Sequence, residues 1–389
     1  MKSEIIISIY LFFFKIAFSL FKLLPLKNKT VFLSSFGDNA FFIANELASS
    51  GKHRLVFINQ TRCKMDFSTI STDNKKIYTF ESLNIVDTLF SIYHLATSKY
   101  VFVDNYAGVL SVIQFRQEVK CIQLWHAAGA IKQFGWRDPE TDARSTRAKV
   151  RFQDVYDRFQ YIPVGSRQMA EIFSEAFQVD MSHFLYTGVP QTDFYFNEQL
   201  KLAGLKNVLA NYPAIKGKKV VLYAPTFRKD ELQKMVVEFD IQMFLETLGD
   251  DYVLLVRLHP SVHAAAKVPD HPRVILANDY AHINELLLVS DILVSDYSSI
   301  PVEFSMLGKK MIFFTYDIEE YNRTQGIWHI NDLFFPGPMV TTTAEVIEHI
   351  LDPVIDQEKI ERFRIHWNTY SNGRSSKQLI TAIYDPQDL

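Results

Sequence analysis

The chain has 389 residues, which is long for one hydrophobic core and suits two domains of ordinary size. Its formal net charge of -3, with 22% charged residues, offers no global attraction for nucleic acid, so no nucleic-acid partner is expected. Cys63 and Cys121 are the only cysteines; they form neither a disulfide framework nor a CxxC metal pair, which points to a reducing, cytosolic setting.

The first element is the apolar run EIIISIYLFFFKIAFSLFKLLPLKNK. It is long enough to span a bilayer, but Lys15 falls near its middle, where a charge is expensive. On a helix, Glu4, Ser8, Lys15, Ser19 and Lys22 share one narrow stripe, with Ile, Leu and Phe around the rest. This pattern predicts an amphipathic helix over 1–28 lying in the membrane interface, its lysines reaching toward anionic headgroups. A helix docked on the protein's own core and a true span are the alternatives. The weakly basic start and the lack of a small-residue cleavage site argue against a cleaved signal peptide.

After Pro25 short apolar strands alternate with helical stretches. TVFLSS, HRLVFIN, YVFVDN and VKCIQLW read as strands, while FFIANELAS, SLNIVDTLFSIYHLAT and SRQMAEIFSEAF read as helices, the last capped by Ser166. The polar stretch from Asn197 to Gly217 is a candidate boundary. Beyond it the grammar repeats with KVVLYAPTF, YVLLVRLHP, RVILAN, DILVSDYSS and KKMIFFTYD as buried parallel strands, and HINELLLVS and SIPVEFSMLG as crossover helices, the latter stopped by Gly308. The expected fold is therefore α/β, with two facing Rossmann-like domains and a central cleft. The first domain is placed at 29–200, the second at 201–365, and a helical segment at 366–389 that could cross back.

Neither GxGxxG nor a Walker A sequence occurs, so nicotinamide-dependent hydride transfer and P-loop hydrolysis lose their usual support. The chemistry-bearing residues sit at strand ends instead. QLWHAAGAIKQFG puts His126 just past a strand, where open α/β sheets hold ligands. VRLHP repeats the arrangement with His259, and Arg257 two residues earlier. A histidine beside a diphosphate donates a hydrogen bond when neutral and offsets negative charge when protonated; a satisfied structural histidine is the bland alternative. In SDYSSIPVEFSMLG, Ser298 and Ser299 stand where a helix begins and could hold phosphate oxygens, and Glu303 could accept from sugar hydroxyls; ordinary capping also accounts for Asp296 and Ser298. APTFR adds Thr226 and Arg228 at a strand end, suited to phosphoryl oxygens or simply solvated. Lys132, Arg137, Arg144, Arg147, Lys149 and Arg151 could meet anionic headgroups or form a solvated helical face. Trp125 and Trp136 flank that segment as stacking, membrane or core residues. No DxD-like metal signature stands out.

Together QLWHAAGAIKQFG, APTFR, RLHP, SDYSSIPVEFSMLGKKMIFF, YDIEEYNRTQG and PGP at 336–338 resemble, in that order, the motifs of the CDP-glycerol glycerophosphotransferase family of wall teichoic acid synthesis. The resemblance runs from about Val119 to Val340 and is nearest to the short primase and short-chain members. It implies a GT-B-like enzyme, with 29–200 as the acceptor-side domain and 201–365 as the CDP-glycerol-binding domain, that transfers glycerol phosphate from CDP-glycerol to a hydroxyl of a polyprenyl-diphosphate-linked glycan, with release of CMP and one or a few units added. His126 would be the catalytic base, with His259, Thr226, Arg228, Arg257, Ser298, Ser299, Glu303, Asp317, Tyr321 and Arg323 on the donor side. Trp125, Lys132, Arg137, Arg144 and Arg147 would face the acceptor.

The resemblance also implies a peripheral enzyme at the cytoplasmic face of the bacterial membrane, in contact with membrane lipids and other teichoic acid enzymes. No tightly bound cofactor or metal is expected, and loosely bound Mg2+ stays compatible. The first motif departs from the commoner WHGTPLK at Ala127 and Ala128, which leaves acceptor identity open. A CDP-ribitol phosphotransferase, a nucleotide-sugar glycosyltransferase and an inactive lipid- or polymer-binding scaffold are the alternatives.

Overall fold

The computed structural model describes residues 2–81, 84–226, 228, 238–258 and 268–388; His259 lies outside them. The chain forms two compact units, one of residues 1–126, 135–193 and 370–389, the other of 127–134 and 194–369. The stretch from Asn197 to Gly217, read above as a boundary, carries a helix over Glu198–Asn211 inside the second unit.

Unit 1 is built on β1 (Lys27–Ser34), β2 (Leu55–Gln60), β3 (Lys75–Phe80), β4 (Ser98–Val103) and β5 (Lys120–Gln123), all parallel and ordered β3-β2-β1-β4-β5. Phe32, Phe57 and Phe102 stack across three adjacent strands at about 5 Å, as runs buried on both faces require. α2 (Asp38–Ser49) covers one face through Ala40, Ile43, Ala44 and Leu47. The C-terminal helix Ser375–Ile383 joins the same core through Leu379, Ile380 and Ile383, its first turn capped by Asp193, whose carboxylate accepts from Ser375 N (2.8 Å) and Ser376 N (2.9 Å). Ser166 accepts from Met169 N at the start of α5 (Arg167–Phe177), as its position in the sequence predicts.

The N-terminal segment is a helix, α1 (Lys2–Phe21). It docks on unit 1 through Leu11, Phe14 and Phe18, with Phe14 edge-on to Phe80, Phe18 to Phe115 and Phe21 to Tyr93 of α3 (Ile85–Ala96). Glu4 pairs with Arg151 of α4 (Thr146–Tyr156), which holds the Glu4 carboxyl below its ordinary pKa. The polar stripe thus borders the docked face, and the other side of α1 leaves Ile5, Ile6, Ile9, Phe12, Phe13, Ile16 and Leu20 exposed. Ile85, Val86, Leu89 and Phe90 of α3 are exposed as well. By length and composition Glu4–Phe21 is also apolar enough to cross a membrane.

Unit 2 carries β8 (Lys219–Tyr223), β9 (Tyr252–Val256), β10 (Val274–Leu276), β11 (Ile292–Ser295), β12 (Lys310–Phe314) and β13 (Met339–Val340), parallel and ordered β10-β9-β8-β11-β12-β13; β6 (Ile162–Pro163) and β7 (Phe184–Leu185) are a small pair in unit 1. Its core gathers Val221, Tyr223, Leu254, Val256, Val294, Ile312 and Phe314 from the strands against Phe239, Phe244, Val346 and Ile350. The helix at Ile300–Phe304 carries Pro301 in its first turn and runs through a 3-10 turn to Gly308, whose φ of 62° ends it as expected.

Candidate active site

In each sheet the strand order reverses at one place, between β1 and β4 in unit 1 and between β8 and β11 in unit 2. Loops leaving the carboxyl ends of those strands border the position where open α/β sheets bind ligands. In both units a buried aspartate follows the second strand of the pair and holds the loop that follows the first: Asp104 after β4, and Asp296 after β11.

In unit 2 both carboxylate oxygens of Asp296 accept from Thr226 N (2.9 and 3.0 Å), and one also accepts from Thr226 Oγ1 (2.8 Å). Arg228, two residues on, donates from Nη1 to Asp296 (2.9 Å) and to Thr226 O (2.9 Å), and grips Asp317 with its remaining fork, Nη2 to Oδ1 at 2.9 Å. Asp317 also accepts from the Tyr297 hydroxyl at 3.0 Å. The guanidinium lies over the rings of Tyr316 (4.7 Å), Tyr321 (5.4 Å) and Tyr297 (5.5 Å), and Tyr297 stacks on Tyr321 at 4.1 Å. Burial opposes the charge on Arg228, but Asp317 and Asp296 outweigh it and hold the group firmly cationic. Burial, followed by the charge of Asp317, pushes the Tyr297 phenol far above its ordinary value.

Lys132, expected on the acceptor side, belongs to unit 2. Ile131 O accepts from Trp328 N (3.1 Å), Gln133 N donates to Gly326 O (3.0 Å), and Lys132 bridges Ile327, so 127–134 is stitched to that edge. Burial lowers the Lys132 pKa, Asp296 pulls it back up and Arg228 adds to the depression. Ala127 and Ala128 are buried, so the departure from WHGTPLK is one of packing in unit 2. A Cβ on Gly129 would stand 2.8 Å from Val302 Cγ2 and 2.9 Å from the fully buried Trp367 ring. Gly129→Ala is therefore expected to lower stability by about 1–3 kcal/mol through overpacking, read as a shifted denaturant midpoint with an unchanged slope.

Glu303 is buried and accepts from Tyr195 Oη at 3.4 Å, and Tyr321 is buried against Tyr297. Ser298 Oγ accepts from Ile300 N (3.3 Å), and Ser299 is the N-cap residue without using its side chain. Asp296, for which ordinary capping was the bland alternative, is committed to Thr226 and Arg228. Arg257 donates to the carbonyls of Ala277 (3.2 Å) and Tyr280 (2.6 Å), bracing the turn after β10. Arg323 is exposed and paired with Glu320 on its own helix. Of the residues expected on the acceptor side, Arg137 forks onto Glu175, Arg144 pairs with Asp138 and lies over Phe152 at 4.5 Å, and Arg147 is exposed. Among the described residues no three His, Cys, Asp or Glu side chains gather as metal ligands.

In unit 1, β5 ends at Gln123 and His126 follows three residues on. Phe36 stacks on the imidazole at 4.3 Å and 13°, and the Trp125 indole lies 4.3 Å from it while packing edge-on against Phe173 and Phe177. The residues that frame His126, Phe36 and Asn39 with Asp104 behind them, were absent from the sequence-based candidates. A signal for Asp104 existed in the likeness of YVFVDNY to ILVSDYSS, an apolar strand ending in Asp in each half.

Two parallel α/β units with polar residues gathered at their switch points make up a GT-B-like fold. The family described as CDP-glycerol:poly(glycerophosphate) glycerophosphotransferase matches residues 16–385, and the chain belongs to it. It is 36% identical over 380 residues to the teichoic acid glycerol-phosphate primase of Bacillus spizizenii (strain W23), covering 96% of this chain and 97% of that one. The protein of the same description from Bacillus subtilis (strain 168) is 34% identical over 379 residues, with 96% of each chain covered. Among solved structures, the wall teichoic acid polymerase TagF superposes with a TM-score of 0.79 at 24% identity, covering 94% of this chain and 92% of that one, a likeness that speaks for the fold.

Proposed function

We propose that this chain is a primase-type glycerophosphotransferase, adding one or a few glycerol phosphate units from CDP-glycerol to a hydroxyl of a polyprenyl-diphosphate-linked glycan and releasing CMP. The observation that carries this reading is the match to two glycerol-phosphate primases over 96% of this chain at 34–36% identity.

In this reading His126 takes the proton of the acceptor hydroxyl as that oxygen attacks the β-phosphorus, a role suited to an imidazole near neutral pH. The transfer is one in-line displacement: the new O–P bond forms as the bond to the CMP oxygen breaks, and no covalent enzyme intermediate is needed. His259, Ser298, Ser299, Thr226 and Lys132 hold the diphosphate and meet the charge that moves onto CMP. Arg228 acts through Asp296 and Asp317, as the rigid frame that sets the loop after β8. Glu303 accepts from donor hydroxyls and Tyr321 walls the pocket; Arg257 shapes it from the turn after β10. Trp125 sits beside the base, while Arg137, Arg144 and Arg147 form the basic rim toward a lipid diphosphate.

The test is to supply CDP-glycerol with a short-tailed lipid-diphosphate disaccharide, with and without one attached glycerol phosphate, and to read product masses and CMP. One added unit on the unprimed acceptor is expected. Addition only to the primed acceptor would make the chain an extending enzyme, and turnover with CDP-ribitol but not CDP-glycerol would replace the donor.

Peripheral attachment to the cytoplasmic membrane face, in contact with other teichoic acid enzymes, completes the reading. It is supported by the outward apolar face of α1 and the exposed residues of α3. Replacing Phe12 and Phe13, 59% and 64% exposed, by Ser is expected to weaken vesicle binding at least tenfold, since each buried Phe contributes about 1.5–3 kcal/mol. Co-sedimentation with anionic vesicles measures it, and unchanged binding would move the contact elsewhere.

A further inference from the structure

His126 stands on an irregular turn three residues beyond the end of β5. Trp125, the residue before it, takes φ 59°, a left-handed conformation costly for a bulky side chain. The turn is held from the start of α2. Buried Asn39 donates from Nδ2 to the carbonyls of Leu124 (3.3 Å) and Trp125 (3.0 Å), and its Oδ1 accepts from Gln191 N (2.9 Å). Gln123 adds a strap, accepting from Trp125 N at 2.8 Å.

The loop between β1 and α2 is fixed more tightly still. Three consecutive N–H groups, of Ser35, Phe36 and Gly37, donate to the buried Asp104 carboxylate at 2.7, 3.1 and 2.8 Å. Burial pushes the Asp104 carboxyl up to about 6 against the pull of those donors. Gly37 has φ 103°, and a Cβ there would stand 2.4 Å from Met65 Cβ, so only glycine fits. Successive amides before a helix would ordinarily make an anion cradle. Here an internal carboxylate already occupies them.

What this loop presents is therefore the Phe36 ring. Phe36 is 41% exposed although its backbone is clamped, and it lies parallel to the His126 imidazole at 4.3 Å. Arg62 braces it further, with its guanidinium over the ring at 5.6 Å and Nη2 donating to Ser35 Oγ at 3.1 Å. A large apolar ring kept near solvent at the switch point has a simple use. It fixes the plane of the imidazole.

We propose that Phe36, clamped through Asp104, is a positioning residue for transfer: it orients His126 and stabilises the imidazolium formed when the acceptor hydroxyl gives up its proton. An aromatic face attracts a cation more than a neutral ring, so the contact strengthens as the proton arrives, which lowers the barrier instead of tightening ground-state binding. The proton stays on His126 during displacement and passes to water after CMP leaves. The proposal rests on His126 being the base.

The experiment uses the full chain and compares Phe36→Leu with Phe36→Tyr, and His126→Ala in parallel, on the lipid-linked acceptor. Phe36→Leu is expected to lower kcat about tenfold while the acceptor KM and CDP-glycerol affinity stay within about twofold, and Phe36→Tyr is expected to restore most of the rate. Phe36→Met replaces Leu if that variant unfolds early. Wild-type kcat in Phe36→Leu, equal losses in Leu and Tyr, or a change confined to acceptor KM would overturn the proposal. If His126→Ala retains activity, the base assignment itself falls; if it is inactive while Phe36→Leu is normal, only the positioning role falls.

Discussion

Replacing His126 by alanine is expected to lower CMP release roughly a thousandfold while CDP-glycerol still binds, because general-base catalysis is commonly worth 10²–10⁴. The physical basis is that an alcohol is a weak nucleophile until its proton has somewhere to go, and in the proposed reading that place is the half-buried imidazole after β5. Apart from Lys132, which is stitched to 326–328, the donor contacts proposed above lie on other elements, after β8, β9, β11 and β12, so calorimetric CDP-glycerol affinity should change by less than about threefold. Removing the imidazole also takes away the partner of Phe36 and part of the packing of Trp125, so the thermal midpoint belongs in the same comparison. A variant that folds, binds the donor and still turns over within tenfold of the parent would remove His126 from the chemistry.

Most strands were legible because parallel strands buried on both faces read as unbroken apolar runs, as in KVVLY, YVLLV and KMIFF. β3 escaped because KKIYTF at the sheet edge is largely solvent-facing and carries lysines, and β13 escaped because two residues make no pattern. The helix Glu198–Asn211 was hidden for a related reason, since it buries only Gly204 and Val208 and so has almost no apolar stripe. The polar face of α1 was legible, but which of its apolar flanks docks was not: that depends on Phe80, Tyr93 and Phe115, scattered over the next hundred residues.

The site was legible at the level of strand ends and illegible at the level of partners. Thr226, Asp296 and Arg228 could be picked out because each follows an apolar run, yet nothing local says that Arg228 spends its fork on Asp317, 89 residues away. A strand-end arginine therefore looks like a phosphate ligand in sequence even when its donors are committed to carboxylates. Lys132 shows the converse. It shares a short motif with His126, but hydrogen bonding to 326–328 assigns it to the other unit.

The commitment of Arg228 leads to a large expected effect on stability. Its guanidinium is 7% exposed and stands between Asp296 and Asp317, with aromatic rings on its faces. Arg228→Met fills much of the volume but leaves two carboxylates facing each other without their cation, and breaking a buried pair in this way costs about 3–5 kcal/mol. The variant should unfold at a clearly lower denaturant concentration. Arg228→Lys, which keeps the charge but loses the planar fork, should recover only part of the loss, because one ammonium cannot satisfy both carboxylates with the same geometry.

Adding Asp317→Asn to Arg228→Met should restore some stability, since the second change removes one of the stranded charges; a double-mutant cycle then measures the coupling directly. Donor binding provides a separate readout. Thr226 is held by the same Asp296, so freeing that carboxylate loosens the loop after β8, and CDP-glycerol affinity should fall at least tenfold in Arg228→Met. Stability lost with affinity retained would make the network a pure fold element. Affinity lost with stability retained would instead make Arg228 a direct ligand of the diphosphate, exchanging a carboxylate for a phosphoryl oxygen when the donor arrives.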